Sequence, residues 1–394
     1  MSNGRNTTAR PGRIDALDLA RGIAILGTLA TNIWIFTDPA GALGWLALDV
    51  ERGAVETLLL TLSNGKFLAL LSILFGVGLE LQYRSAVRRG LRWPGRYLWR
   101  ATLLLLEGVL HYLLIFEFDV LTGYALVSVH VAFLVSRSDR VRRTWLAVAA
   151  AVHVTFVGLL TAASLSGALS GAAEGTTSTG GAEYTAIAAY SSASWLDQVR
   201  TRIELAGFFR LEILLILPLS TVLFLAGIEV LRAGAFEDSE RGSRVRRRLL
   251  SFGLGAGVPL NLVTAFAGPD WFFVDRYIVP PIVAFGLLAA VVEFAARTRG
   301  GVLRRGLIAT GRAAMSCYVL QNLVAGALCY GWGLGLATLL ADARPWWVLA
   351  AWAFVSALLM TLAALWLRAF SRGPLELLLH RLYTGRPKKV GEPV

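Results

Sequence analysis

Ten near-continuous apolar stretches run through this chain, near residues 17–36, 58–82, 98–116, 119–136, 144–167, 210–231, 249–267, 277–296, 313–330 and 346–367. Each is close to the ~20 residues a helix needs to cross the hydrocarbon core of a bilayer. In lipid the backbone must satisfy its own hydrogen bonds, so such runs become helices. The 394 residues are 56% hydrophobic and only 16% charged, with a mean hydropathy of +0.61, which excludes a string of soluble domains. The expected fold class is therefore all-α: a polytopic helical membrane protein with about ten transmembrane helices.

The basic residues predict its orientation. Lys and Arg collect in the N-terminal tail and in Arg84–Arg100, Arg137–Arg143, Arg232–Arg248, Arg297–Arg312 and Arg368–Lys389, which together hold 30 of the 38. The intervening loops carry acids instead, among them Asp38, Glu117, Asp119, Asp197, Asp270 and Asp275. Cytoplasmic loops attract Lys and Arg, so both termini are expected in the cytoplasm. The net charge of +12 is spread over six segments flanking the membrane, which points to anionic lipid rather than nucleic acid as its partner. The first apolar run lacks a small-residue cleavage signature and is expected to be retained.

The chain reads as a single integral membrane domain, 1–394, divided by one long polar stretch. A first five-helix half spans 17–167 and a second spans 209–385. Between them, 168–208 is an extracytoplasmic linker that starts Gly/Ser/Thr-rich and ends in a segment suited to a helix at the membrane surface. No repeat relates the halves. The second apolar run is interrupted by Ser63, Asn64, Gly65 and Lys66, which loosen a helix. Gly76 and Gly78 further on suit close helix packing. Cys317 and Cys329 share one predicted helix about 18 Å apart and cannot pair.

Several polar groups stand inside apolar runs, where they normally face a bundle interior or a wet cavity. In the first run Asp18, Arg21, Gly22, Ile25, Leu29 and Asn32 fall on one stripe at 100° per residue. Asp18 and Arg21, three apart, form a candidate ion pair. The guanidinium fork of Arg21 also matches a phosphate entering from the cytoplasm. Asn32, about 16 Å further along, is a candidate oxyanion donor. In the third run Glu107 and His111 are four apart and share a face; Asp119, Thr122 and Tyr124 follow. A carboxylate beside an imidazole orients the ring and fixes its tautomer. His130 and His153 stand alone and form no metal pair. Glu212, Glu229 and Glu293 lie near membrane boundaries, where arginine pairing is the cheaper reading. Gln321 and Asn322 suit either helix gluing or ligand binding.

The runs RIDALDLARGIAILGTLATNIWIF, KFLALLSILFGVG, LLEGVLHYLLIFEFDVLTGYAL, GRAAMSCYVLQNLVAGALCYGWGLGL and SRGPLELLLHRL resemble the YeiB-type family of bacterial membrane proteins, which has a C-terminal domain of unknown function. That family is distantly similar to transmembrane acyltransferases typified by heparan-alpha-glucosaminide N-acetyltransferase. Those enzymes pass an acetyl group from cytosolic acetyl-CoA to an amino sugar across the membrane. The matching motif here is Asp18, Arg21, Gly22 and Asn32. The relatives' catalytic histidine follows their asparagine by about eleven residues; Leu43 stands there in this chain, and His111 is the substitute.

The resemblance implies a multi-pass protein of the bacterial inner (cytoplasmic) membrane that transfers an acyl group from acyl-CoA, with no metal. The acceptor is a hydroxyl or amine, membrane-embedded or extracytoplasmic, with sugar and lipid-linked groups as candidates; homo-oligomerisation is compatible. Asp18, Arg21, Gly22 and Lys66 would hold the cofactor, the stripe from Gly22 to Leu29 would line the path of its pantetheine arm, and His111 would be the general base. Glu107 or Asp119 would orient that base, and Asn32 would stabilise the oxyanion. The rival readings are a proton-coupled carrier or exporter of a small polar solute, using Asp18, Arg21, Glu107 and His111 as a relay, and a scaffold whose polar groups only hold helices together.

Overall fold

The computed structural model describes residues 11–45, 52–168, 188–192, 194–298 and 300–384. Among them the only regular structure is helix. The longer helices are α1 (Pro11–Phe36), α2 (Ala54–Ser63), α3 (Lys66–Arg88), α4 (Arg96–Leu114), α5 (Leu121–Leu134), α6 (Asp139–Leu165), α7 (Trp195–Glu204) and α8 (Glu212–Arg232). They continue as α9 (Glu240–Leu250), α10 (Gly257–Ala265), α11 (Phe272–Tyr277), α12 (Val279–Arg297), α13 (Val302–Arg312), α14 (Ala314–Cys329), α15 (Trp346–Ala369) and α16 (Pro374–Thr384).

Every predicted apolar stretch contains helix, and six described helical segments are long and apolar enough to cross a membrane: Asp15–Phe36, Ala54–Arg88, Asp139–Leu165, Ala206–Arg232, Pro269–Arg297 and Trp346–Ala369. The chain is an all-α polytopic membrane protein. Other stretches are shortened by local breaks. A π-helical turn, Ser251–Ala256, separates α9 from α10, and Ala313 separates α13 from α14. Leu121–Leu134, at 14 residues, is about 21 Å long, less than the ~30 Å core. The extreme termini and residues 169–187 of the linker lie outside the described residues.

Helix α1 is central. Leu19, Ala20, Ala24, Leu29 and Phe36 are wholly buried, because α3, α12, α13, α14 and α15 all pack around it. Helix α8 in turn packs on α3, α5 and α6, so the two sequence halves interleave in space. Glycines set the closest crossings, since a missing side chain lets backbones meet. A Cβ on Gly76 would sit 2.0 Å from the carbonyl oxygen of Phe224, and one on Gly227 would sit 2.2 Å from that of Ile73. The interruption expected after α2 is present: Asn64 ends α2, and Gly65, at φ +68°, turns the chain into α3.

Isolated polar groups in the apolar runs are largely structural. Glu212, Glu229 and Glu293 pair with Arg276, Arg142 and Arg246 at 3.3, 3.0 and 2.5 Å. His130 meets the Thr221 hydroxyl at 3.0 Å and His153 the Tyr277 carbonyl at 2.9 Å.

Candidate functional site

At the arginine-rich end of the bundle, Arg21 Nη1 donates to Asp18 Oδ1 at 2.9 Å and keeps about a third of its side chain exposed. Gly78 of α3 leaves the space beside it open; a Cβ there would meet only Arg21 Nη2, at 3.9 Å. Arg100 lies within electrostatic reach of Arg21 and Arg372, and Arg312 within reach of Asp18. Arg100 Nη1 donates to Gln82 at 2.6 Å, while Arg312 Nη2 donates to the Ser371 carbonyl at 3.2 Å. The result is a partly exposed basic mouth formed by α1, α3, α4, α13 and the turn before α16. The N-terminus of α14 is not part of it, because Glu376 already accepts from Met315 N, Ser316 N and the Ser316 hydroxyl at 2.8, 3.3 and 2.5 Å.

Toward the other end, α1, α4 and α14 bring Asn32, His111 and Asn322 together. Asn32 Nδ2 donates to Asn322 Oδ1 at 3.2 Å, and Asn322 Nδ2 donates to His111 Nε2 at 3.0 Å. In that arrangement the imidazole proton sits on Nδ1, which is buried without a partner. Turning both amides by half exchanges the protonated nitrogen. The ring stacks on Tyr318, one turn before Asn322, with centroids 5.0 Å apart. Tyr318 is 3% exposed, and its hydroxyl lies within reach of the Val120 backbone amide.

The acids expected to orient His111 do not bond to it. Asp119 instead caps α5, accepting from Leu121 N at 3.0 Å and from the Thr122 amide and hydroxyl at 2.9 and 2.7 Å. A capping carboxylate satisfies amides that the helix itself leaves free. Glu107 does share the buried side of α4 with His111, yet neither carboxyl oxygen has a hydrogen-bond partner. Asn322 takes the orienting place.

Above this group the chain closes the end of the bundle. Arg202 of α7 and Glu117 are each 1% exposed and pair at 2.8 Å. Tyr190 donates to the same Glu117 oxygen at 3.1 Å. The other guanidinium nitrogens of Arg202 bond the Leu113 and Ile115 carbonyls at the end of α4, Tyr112 donates to the Arg202 carbonyl at 2.6 Å, and Arg210 stacks on Tyr112 at 3.6 Å. The helix expected at the membrane surface is therefore docked by a buried ion pair over the end of α4, within a few residues of His111.

Two cofactor candidates fall elsewhere. Gly22 packs against α13, where a Cβ would lie 2.0 Å from the Leu307 carbonyl oxygen, and Ile25 and Leu29 are buried at 2% and 0% exposure. The face from Gly22 to Leu29 is packed core and leaves no room for a pantetheine arm. Lys66, 6% exposed, donates to the Thr61 carbonyl and lies within reach of Asp275. It is twelve residues along α3 from Gly78, or about 18 Å, so it stands far from the Arg21 mouth. Leu43 lies half-buried in a one-turn helix, Gly41–Trp45, and supplies no titratable group.

Beside Asn32 and Tyr318 lies a narrow cavity of about 40 Å³, bounded by α1, α3, α8, α11 and α14. Its far wall carries Glu212, Arg276 and Tyr277. Sequence reasoning missed this wall and the part played by Asn322. The available signal was that Asn322 and Tyr318 stand one helical turn apart on a single apolar run.

These features define the class: an all-helical membrane protein with a buried polar seam running from a basic mouth to a covered opposite end. Residues 230–386 match the family described as "Protein of unknown function (DUF418)". The "Uncharacterized protein YxaH" of Bacillus subtilis (strain 168) is 27% identical over 383 residues, covering 92% of both chains. The "Uncharacterized protein YeiB" of Escherichia coli (strain K12) is 27% identical over 389 residues, covering 93% of this chain and 95% of its own. The similarity to these two YeiB-type proteins runs over most of the chain. No solved structure matches it significantly.

Proposed function

We propose that the chain is a transmembrane acyltransferase of the bacterial inner membrane, with its basic mouth in the cytoplasm, that moves an acyl group, acetyl above all, from acyl-CoA to an acceptor at the opposite side. The observation that carries this reading is the Asn32–Asn322–His111 relay, buried about 16 Å along α1 from Arg21. That spacing suits a cofactor whose phosphates stay at the mouth while its thioester reaches inward, by a route other than the packed Gly22–Leu29 face of α1. Arg21, Arg100, Arg312 and Arg372 supply guanidinium donors for the phosphates.

In the transfer both amides stand turned by half, so that His111 Nε2–H donates to Asn322 Oδ1 and the unpartnered Nδ1 carries the lone pair; Nδ1 takes the proton of the acceptor as the acceptor forms a bond to the thioester carbonyl carbon. Asn322 holds the ring, and because its Nδ2 then donates to Asn32 Oδ1, the Asn32 amide protons are donors for the oxyanion. The carbon–sulfur bond then breaks, and the CoA thiolate leaves with the proton from the imidazolium. No metal enters these steps.

Purified protein in nanodiscs should bind labelled acetyl-CoA saturably and in competition with CoA. Arg21→Ala should weaken that binding at least tenfold, while His111→Ala should keep it and lose at least a hundredfold in transfer. Absence of CoA-competable binding would falsify the reading. One observation favours the rival carrier: a buried carboxylate without a partner, Glu107, is a usual mark of a proton path.

A further inference from the structure

The hairpin that joins α3 to α4 is basic throughout: residues 84–100 hold six arginines and no Asp or Glu. Arg84 bonds Glu80 at 2.7 Å and Arg100 bonds Gln82 at 2.6 Å. Arg89 is exposed and bonds only the Ser85 carbonyl of its own helix. Arg88, Arg92 and Arg96 are exposed and make no ion pair or hydrogen bond among the described residues. The turn that presents them is well held. Helix α3 closes in a Schellman motif, with Gly90 at φ +64° and the Gly90 and Leu91 amides bonded back to the Val87 and Ala86 carbonyls, each at 3.0 Å. Trp93 then pins the loop, its indole nitrogen donating to the Ala132 carbonyl of α5 at 2.7 Å and its ring packing on Tyr83 and Tyr97.

Apolar side chains are exposed beside these arginines. Val87, Leu91 and Trp99 are each about half exposed. Trp99 reaches α16, where its indole nitrogen donates to the Leu382 carbonyl at 3.3 Å. On that helix Leu378 and Leu382, four apart and so on one face, are also about half exposed. A lone guanidinium is costly in the hydrocarbon core, and a contiguous apolar patch is unfavourable in water. At the level of the lipid head groups both are satisfied: the apolar side chains reach the acyl chains and the guanidinium forks meet phosphate oxygens. Helix α9 is the contrast. It carries as many arginines, Arg241, Arg244, Arg247 and Arg248, but Glu237, Asp238 and Glu240 stand among and before them, and Asp238 and Glu240 share a surface recess with Arg244 and Arg247.

We propose that the α3–α4 hairpin and the exposed face of α16 form a binding surface for anionic phospholipid, with head-group phosphates on Arg88, Arg92 and Arg96 and acyl chains along Trp99, Leu378 and Leu382. The surface is independent of the acyltransferase reading and holds equally for a carrier. It also bears on the buried site. Glu376, on the opposite side of α16, holds the first turn of α14, so lipid that settles α16 also steadies the helix that carries Asn322.

Native mass spectrometry of the full chain in detergent, titrated separately with dioleoyl phosphatidylglycerol and dioleoyl phosphatidylcholine, tests the surface. Phosphatidylglycerol should bind at least tenfold more tightly. The triple variant Arg88→Gln/Arg92→Gln/Arg96→Gln should lose at least tenfold of that affinity, since each arginine near an anionic surface is worth roughly fivefold. Its unfolding midpoint without added lipid should hold, because the three side chains have no partner among the described residues. Arg241→Gln/Arg244→Gln/Arg247→Gln removes the same charge from the acid-bearing helix and should lose less than about threefold. Leu378→Ser/Leu382→Ser should weaken both lipids. Equal affinity for the two lipids, equal losses in the two arginine triples, or unchanged binding in the leucine variant would overturn the proposal. So would displacement of the lipid by glycerol 3-phosphate at matching concentration, which would mark a site for a free phosphate instead.

Discussion

Asn322 Nδ2 lies 3.0 Å from His111 Nε2, joining side chains 211 positions apart across α4 and α14. The same amide accepts from Asn32 at 3.2 Å, so one residue fixes both the imidazole and the donor at the end of α1. Asn322→Ala leaves two buried polar groups unpaired, at a cost of about 1–3 kcal/mol. Thermal unfolding in detergent should show that loss, and acyl transfer should fall more than tenfold with acetyl-CoA binding retained. Transfer at the wild-type rate would remove Asn322 from the site.

The buried pair Glu117–Arg202 holds α7 over the end of α4. Removing one partner strands a charge, whereas replacing both with apolar groups of similar size is far less costly. Arg202→Met alone should cost about 3–5 kcal/mol, and the double variant Glu117→Leu/Arg202→Met less than the single one. A double-mutant cycle from denaturant titrations reads the difference; additive losses would mean the pair does not anchor α7.

Helix α7 should also loosen in acid. The Ser194 hydroxyl and amide hold the Asp197 carboxyl below its ordinary value of 3.8, through bonds of 2.6 and 3.3 Å. The folded carboxyl thus takes up its proton less readily than the unfolded one. Its contribution is complete above the ordinary value and is lost as pH falls through the lower folded value. Hydrogen exchange across Trp195–Glu204, corrected for the intrinsic rate, should therefore rise below about pH 4, and Asp197→Asn should flatten that rise.

How much of this was legible depends on the range of the contact. Helix content follows from apolar runs about as long as a bilayer core, and the Asp18–Arg21 pair follows from a spacing of three. The polarity of Asn32 and His111 within such runs marked both as unusual before any partner was known. Periodicity cannot show that Asn322 rather than Glu107 reaches the imidazole, because that depends on how α14 packs against α4. Nor does it distinguish a glycine that clears a path from one that closes a crossing: Gly78 borders Arg21, whereas Gly22 meets α13. The helical wheel put Gly22 on the Asp18–Asn32 stripe correctly, but a stripe spanning about 100° can touch two neighbours.

The Gly22–Gly311 crossing makes that distinction measurable. A Cβ on Gly311 would lie 1.7 Å from the Asp18 carbonyl oxygen, and one on Gly22 would lie 2.0 Å from that of Leu307. Either glycine changed to alanine must push α1 and α13 apart, at a cost of about 1–3 kcal/mol. Gly53→Ala is the control, since nothing lies within 4 Å of its Cβ position. Unfolding midpoints should fall for the first two and hold for the third; an unchanged Gly22→Ala midpoint would mean the crossing is looser than described.

Glu107 separates the enzyme from the carrier. Its carboxyl oxygens are buried without partners, and His111 is held by Asn322 instead. For an acyltransferase, Glu107→Gln keeps the shape of the seam and removes a group that the transfer does not use, so turnover should stay within about threefold, well short of the hundredfold or more expected for loss of a general base. Stability should hold or rise, because an amide is cheaper to bury than a carboxylate. For a proton-coupled carrier the same change removes the coupling group, and solute movement driven by a pH gradient in proteoliposomes should stop. Measuring acetyl transfer and gradient-driven flux on one preparation of Glu107→Gln decides between them: transfer retained with no flux in either protein supports the enzyme, and flux present in the wild type but abolished in the variant supports the carrier.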